Sequence, residues 1–162
     1  MPRRHRAAAC ALALLAAACT PGTTPESPRD AAARFDAWRA PHATEIAALE
    51  AHLASRGVGG VMPLHALLRT SRRWQACGHA EFAIPPRAHW DRIVPTLRVV
   101  RELRDAGVLD PALGRSAWRS PAMNTCAGGS TRSRHLTFQA FDFDLPDATR
   151  VGRLCRFWRQ RG

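Results

Sequence analysis

Lysine and tyrosine are absent from this chain of 162 residues. All 24 strongly basic side chains are therefore arginine, and against 13 acidic ones they leave a formal charge of +11. An arginine-only, alanine-rich composition reads as a coding bias rather than as a surface selected for nucleic acid. No aromatic–basic binding motif accompanies the charge, so nucleic acid is not expected as a partner. What the charge does allow is a solvated basic exterior or attraction to another anionic polymer, such as cell wall. The five cysteines include no closely spaced pair, which argues against a thiolate zinc site. The apolar run Ala7 to Ala18 is too short to span a bilayer. Histidine also runs out early, with none after His135.

What is present starts with Arg3, Arg4 and Arg6, then the apolar run, then small residues up to Ala18. That is the layout of a secretory signal over residues 1–18. Leu15-Ala16-Ala17-Ala18-Cys19 resembles a bacterial lipobox with its Leu one position early. Cys19 is therefore expected to become the lipidated N-terminus, holding the protein on the periplasmic side of the cell envelope. Residues 19–40 read as the lipobox cysteine and a linker, since Thr20 to Pro28 is rich in Pro and Thr and has nothing to bury. Export places Cys77, Cys126 and Cys155 in an oxidising compartment, where one disulfide and one thiol is the simplest count. Three pairings are open. Cys77 with Cys126 is favoured, because it would staple the loop before the main helix to the region that follows it.

Helical spacing of Ile46, Leu49 and Leu53 predicts a helix over Thr44 to Arg56, closed by Gly57. Trp90, Ile93, Val94, Leu97, Val100 and Leu103 mark the longest helix, opened by Pro85-Pro86 and kinked or split at Pro95. A further helix is expected over Gly152 to Arg161. His42 and His52 read as surface residues and His65 as structural, while His79 lies in a loop that could approach a cleft. Phe141, Phe143 and Leu145 alternate with Ala140, Asp142 and Asp144, the period of a strand with one apolar face. Both carboxylates then share the opposite face. Isolated carboxylates are rarely buried, so this face implies an open cleft or a cation. Ser133 has no base expected beside it, which excludes a serine nucleophile.

The stretch Ser116 to Leu145 carries an ordered set: Trp118-Arg119-Ser120-Pro121, Asn124, Gly128-Gly129, then Ser133-x-His135 and Ala140-x-Asp142. This set resembles the M15 family of zinc D-Ala-D-Ala carboxypeptidases, whose pattern runs SGYRSP, N, GG and S-x-H-x-x-G-x-A-x-D. Trp118 stands in place of Tyr, Ala117 in place of Gly, and Phe138 in place of a second Gly. The resemblance implies an α+β fold of the Hedgehog/DD-peptidase type, with N-terminal helices packed on a small antiparallel sheet that carries a zinc site. It implies His135 and Asp142 as metal ligands and Ser133 as a substrate contact or a support for His135. Arg119 would stabilise the oxyanion or hold the substrate carboxylate. The partners implied are peptidoglycan peptides. The family's third zinc ligand, a His, and its acidic catalytic residue lie well downstream of the Asp, so residues 41–162 are expected to form an M15-like domain lacking its C-terminal part. A non-catalytic peptidoglycan-binding lipoprotein is the alternative.

Overall fold

The structure is a computed structural model and describes residues 28–145 and 147–161. The signal segment, Cys10 and Cys19 lie outside the described residues. Helix α1, Pro28–Arg39, opens on a proline. It buries Ala31 and Phe35, and Phe35 meets Phe82 edge-on at 5.3 Å. Residues 28–39 were expected from the sequence to end a linker. They are helical because Phe35 and Trp38 pack on the core, burial that the preceding Pro/Thr stretch has no side chains to supply. The folded part thus starts before residue 41.

Helix α2, Ala43–Ser55, buries Ile46, Leu49 and Leu53, as the spacing predicts. It ends where Gly57 takes φ +70°. There the Gly57 and Val58 amides donate to the carbonyls of Ala54 and Leu53 at 2.9 and 3.0 Å, satisfying two terminal acceptors. The short α3, Leu64–Leu67, follows. Pro95 splits the next segment into a 3-10 turn, Arg87–Ile93, and helix α4, Val94–Asp105. Proline falls in the first turn of α4, where no intrahelical donor is needed. All six residues of the predicted apolar stripe are buried. At 12 residues, however, α4 is shorter than α2 and the final helix.

Strand β1, Gly114–Ser116, pairs antiparallel with β2, Asp142–Phe143, in the register Gly114 to Phe143 and Ser116 to Asp142. Between them lie α5, Pro121–Cys126, and a 3-10 turn, Arg134–Thr137; α6, Ala148–Arg161, comes last. The arrangement is α+β, helices with a small two-stranded antiparallel sheet. The strand expected over residues 140–145 shrinks to two residues. Its aromatic side chains are half-buried because they wall a cleft as well as touching the core. Cys77 and Cys126 form the disulfide, with Cα atoms 5.8 Å apart, and Cys155 is a free, exposed thiol.

Candidate functional site

The site is assembled by three segments that pin one another through main-chain bonds. Residues 69–70 form its floor: Arg69 C=O accepts from the Ala117 amide at 2.9 Å, and Thr70 C=O accepts from Ser116 Oγ at 2.8 Å. The segment Ser116 to Arg119 leaves β1 and meets the turn that carries His135. There the Arg119 amide donates to His135 C=O at 3.1 Å, and Trp118 Nε1 donates to Leu136 C=O at 3.1 Å. From the other side, α4 holds the same loop through Thr96 Oγ1, which donates to Gln139 C=O at 2.9 Å.

Ser120 caps α5 by accepting from the Met123 amide, and Pro121 occupies the first turn. Buried Asn124 donates from Nδ2 to Ser130 C=O at 2.9 Å. A Cβ on Gly129 would fall 2.2 Å from the Asn124 side-chain oxygen, so glycine is required there by contact rather than by conformation. The Gly-Gly loop can therefore fold over Asn124 and return the chain to Ser133. Ser133 caps the following turn, accepting from the His135 amide at 3.4 Å. Its hydroxyl thus supports the His135 backbone.

Phe138 occupies the position at which the family pattern has Gly. It takes φ +56°, ψ +46°, the left-handed conformation, and is completely buried. Left-handed backbone costs a non-glycine residue about 1–2 kcal/mol, while losing a buried Phe side chain costs about 3–5 kcal/mol. Burial wins. Phe138→Gly is therefore expected to destabilise the protein by roughly 2–3 kcal/mol in denaturant unfolding. Phe138→Ala should be worse by about 1 kcal/mol, because it loses the ring and keeps the strain. The reverse order, with Gly below Ala, would show that the conformation carries no strain.

The side chains of Arg119, His135 and Asp142 converge. Arg119 Nε donates to Ser116 Oγ at 2.8 Å and its Nη2 donates to Asp142 Oδ2 at 2.6 Å. His135 is buried, with Nδ1 on Ala117 C=O at 2.5 Å. A carbonyl only accepts, so Nδ1 carries the proton and Nε2 is the nitrogen left facing Asp142 Oδ1 at 3.3 Å. Two acceptors at that distance attract only when a cation, a proton or a metal ion, joins them. The separation also suits a metal: two ligands about 2.0–2.1 Å from zinc at a tetrahedral angle lie about 3.3 Å apart. A carbonyl behind the imidazole is the usual means of orienting a ligating histidine.

Burial raises the Asp142 pKa, but the hydrogen bond and charge of His135, then Arg119 and Arg72, outweigh it and hold the carboxyl below the usual aspartate range. Its contribution to stability is present above that range and is lost as the pH falls through the depressed value.

Zinc at a catalytic centre takes three protein ligands. His135 and Asp142 fit two of them. Among the described residues no group of three His, Cys, Asp or Glu side chains converges, so the donor set there is one short. His79, a sequence candidate, joins no such group. Asp144 neither contacts His135 nor stands free in solvent. It accepts from Arg115 Nε and Arg72 Nη1, both at 2.5 Å. These pairings, and the Ser116 and Ala117 contacts, were missed in the sequence because their partners are backbone groups or arginines indistinguishable from many others.

Residues 65–162 match the sequence profile of the family described as Peptidase M15. Comparison with curated proteins and with solved structures finds no match. The matched stretch includes α4, both strands and every one of Arg119, Ser133, His135 and Asp142. The chain belongs to the peptidase M15 family.

Proposed function

We propose that this protein is a zinc metallopeptidase of the bacterial cell envelope that cleaves D-Ala-D-Ala-type ends of peptidoglycan peptides. The observation that carries the reading is the His135 Nε2–Asp142 Oδ1 pair, oriented by the Ala117 carbonyl and backed by Arg119. His135 and Asp142 would hold the metal together with a third donor from outside the described residues. Bound zinc would lower the pKa of a water and polarise the scissile carbonyl.

Arg119 is clamped at Nε and Nη2, which leaves Nη1 for an oxygen of the substrate. A side chain so fixed needs no reorganisation as negative charge develops, the condition for strong oxyanion stabilisation. Arg119→Ala is expected to lower kcat/KM by about 3 kcal/mol with metal content retained. Arg119→Lys should recover little, because one ammonium cannot span Ser116, Asp142 and substrate together. Full activity in Arg119→Lys would remove the forked-donor role.

The non-catalytic alternative, a peptidoglycan-binding lipoprotein, also has an observation behind it. Arg119 balances the Asp142 charge at 2.6 Å, so the carboxylate has a cationic partner within the chain itself. Metal content measured alongside D-alanine release from muropeptides separates the two. Zinc with release supports the peptidase, and stoichiometric zinc with no release from any such peptide leaves the binding protein.

Attachment to the membrane rests on Cys19. Cys19→Ser is expected to abolish partition into detergent while export continues. Membrane association unchanged by that substitution would place the attachment on the basic surface instead; a lipid anchor needs several acyl chains, since a single one holds only marginally.

A further inference from the structure

Beside Asp142 opens a cleft of about 440 Å³, a volume within the range of small-ligand sites. Leu103, Leu109, Phe141, Phe143, Leu145 and Leu154 wall it with apolar surface. Among the described residues that line it, two are charged, Asp142 and Arg72. Asp142 is balanced by Arg119 at 2.6 Å, so it does not repel an anion that enters. Arg72 stands at the rim with its side chain 54% exposed, its Nη1 on Asp144 Oδ1 and its Nη2 donating to Phe143 C=O at 3.2 Å. The other oxygen of Asp144 is held by Arg115, whose side chain is only 10% exposed. Arg72 can therefore turn away without leaving Asp144 unpaired. Three arginines (Arg72, Arg115 and Arg119) face two carboxylates across this sheet, an excess of one positive charge.

We propose that Arg72 is a specificity-determining residue, receiving the terminal carboxylate of a peptide whose last residue places a small apolar side chain in this cleft. The proposal rests on the peptidase reading for the kind of substrate, and it divides the labour between two arginines. Arg119 is fixed by Ser116 and Asp142, which suits an oxygen whose charge develops during reaction. Arg72 is exposed and exchangeable, which suits a charge that arrives with the substrate. A guanidinium matches a carboxylate with two parallel donors, and apolar walls strengthen that pairing by excluding water.

The test is equilibrium binding of N-acetyl-D-alanine and of its uncharged amide, followed by NMR titration, together with turnover of an acyl-D-Ala-D-Ala peptide. The wild type should bind the acid at least about tenfold more tightly than the amide, the size of one charged hydrogen-bonded contact. Arg72→Ala should erase that preference while unfolding at an unchanged denaturant midpoint, and Arg72→Lys should restore part of it. Arg73→Ala, which removes a neighbouring exposed arginine outside the cleft, should keep the preference. Arg72→Ala retaining the acid preference, or a wild type that does not distinguish acid from amide, overturns the proposal. Acid-selective binding dependent on Arg72, with no D-alanine released, leaves the proposal standing and removes the peptidase reading.

Discussion

His135→Ala and Asp142→Ala are each expected to abolish hydrolysis of a D-Ala-ending peptide and to bring zinc content to background. Each removes one of two adjacent donors, and a metal held by the remainder dissociates readily. The two variants should differ in their effect on the fold. Losing Asp142 leaves Arg119, whose side chain is 13% exposed, without its carboxylate, although Ser116 Oγ still accepts from Nε. Losing His135 empties a buried position and frees the Ala117 carbonyl of its partner. Asp142→Asn separates charge from shape: it keeps a side-chain oxygen toward Arg119 but should bind zinc far more weakly. Metal analysis after chelator competition, paired with turnover, is the measurement. Undiminished turnover in His135→Ala would falsify the assignment of these residues as metal ligands.

Glu81→Ala is expected to destabilise the fold by about 3–5 kcal/mol, the range for breaking a buried ion pair from one side. Glu81 is 5% exposed and takes Arg34 Nε and Nη2 at 2.6 and 2.8 Å, with Arg69 Nη2 at 2.8 Å. Arg69 is 3% exposed at its side chain, so it cannot reach water when the carboxylate goes. Desolvation already pulls its pKa below the usual arginine value against the opposing pull of Glu81. Arg34 is 40% exposed, and Arg34→Ala should have a much smaller effect because water replaces it on one side. The loss reaches the site as well. Arg69 and Thr70 carry the two carbonyls on which the Ser116 to Arg119 segment hangs. Urea unfolding of the two variants distinguishes the cases, and equal midpoints for Glu81→Ala and the wild type would show the cluster to be inert.

Local chemistry was legible where a residue's role follows from its neighbours in sequence. The apolar spacing in α2 and α4, the Gly57 cap and the site of the Pro95 break all depend on contacts within one or two turns. The motif set pointed to Arg119, His135 and Asp142, and the structure brings these three together. The Cys77–Cys126 pairing was one of three possibilities, and only the folded chain selects it.

The remainder was decided by tertiary structure, because it concerns partners far apart in the chain. Arg34 and Glu81 lie 47 residues apart and Arg119 and Asp142 lie 23 apart. With 24 arginines and no lysine, nothing in the sequence marks which guanidinium meets which carboxylate. The alternation of Phe141, Phe143 and Leu145 identified an apolar face, but whether that face meets the core or a cleft depends on α4 and α6 beside it. Similarly, residues 28–39 have a linker-like Pro/Thr stretch before them, and only docking of Phe35 against Phe82 makes them part of the folded domain. At Phe138 local preference and packing oppose one another. Backbone sterics favour glycine there, yet the core holds a phenylalanine in left-handed conformation because burying its ring yields more free energy than the strained backbone loses.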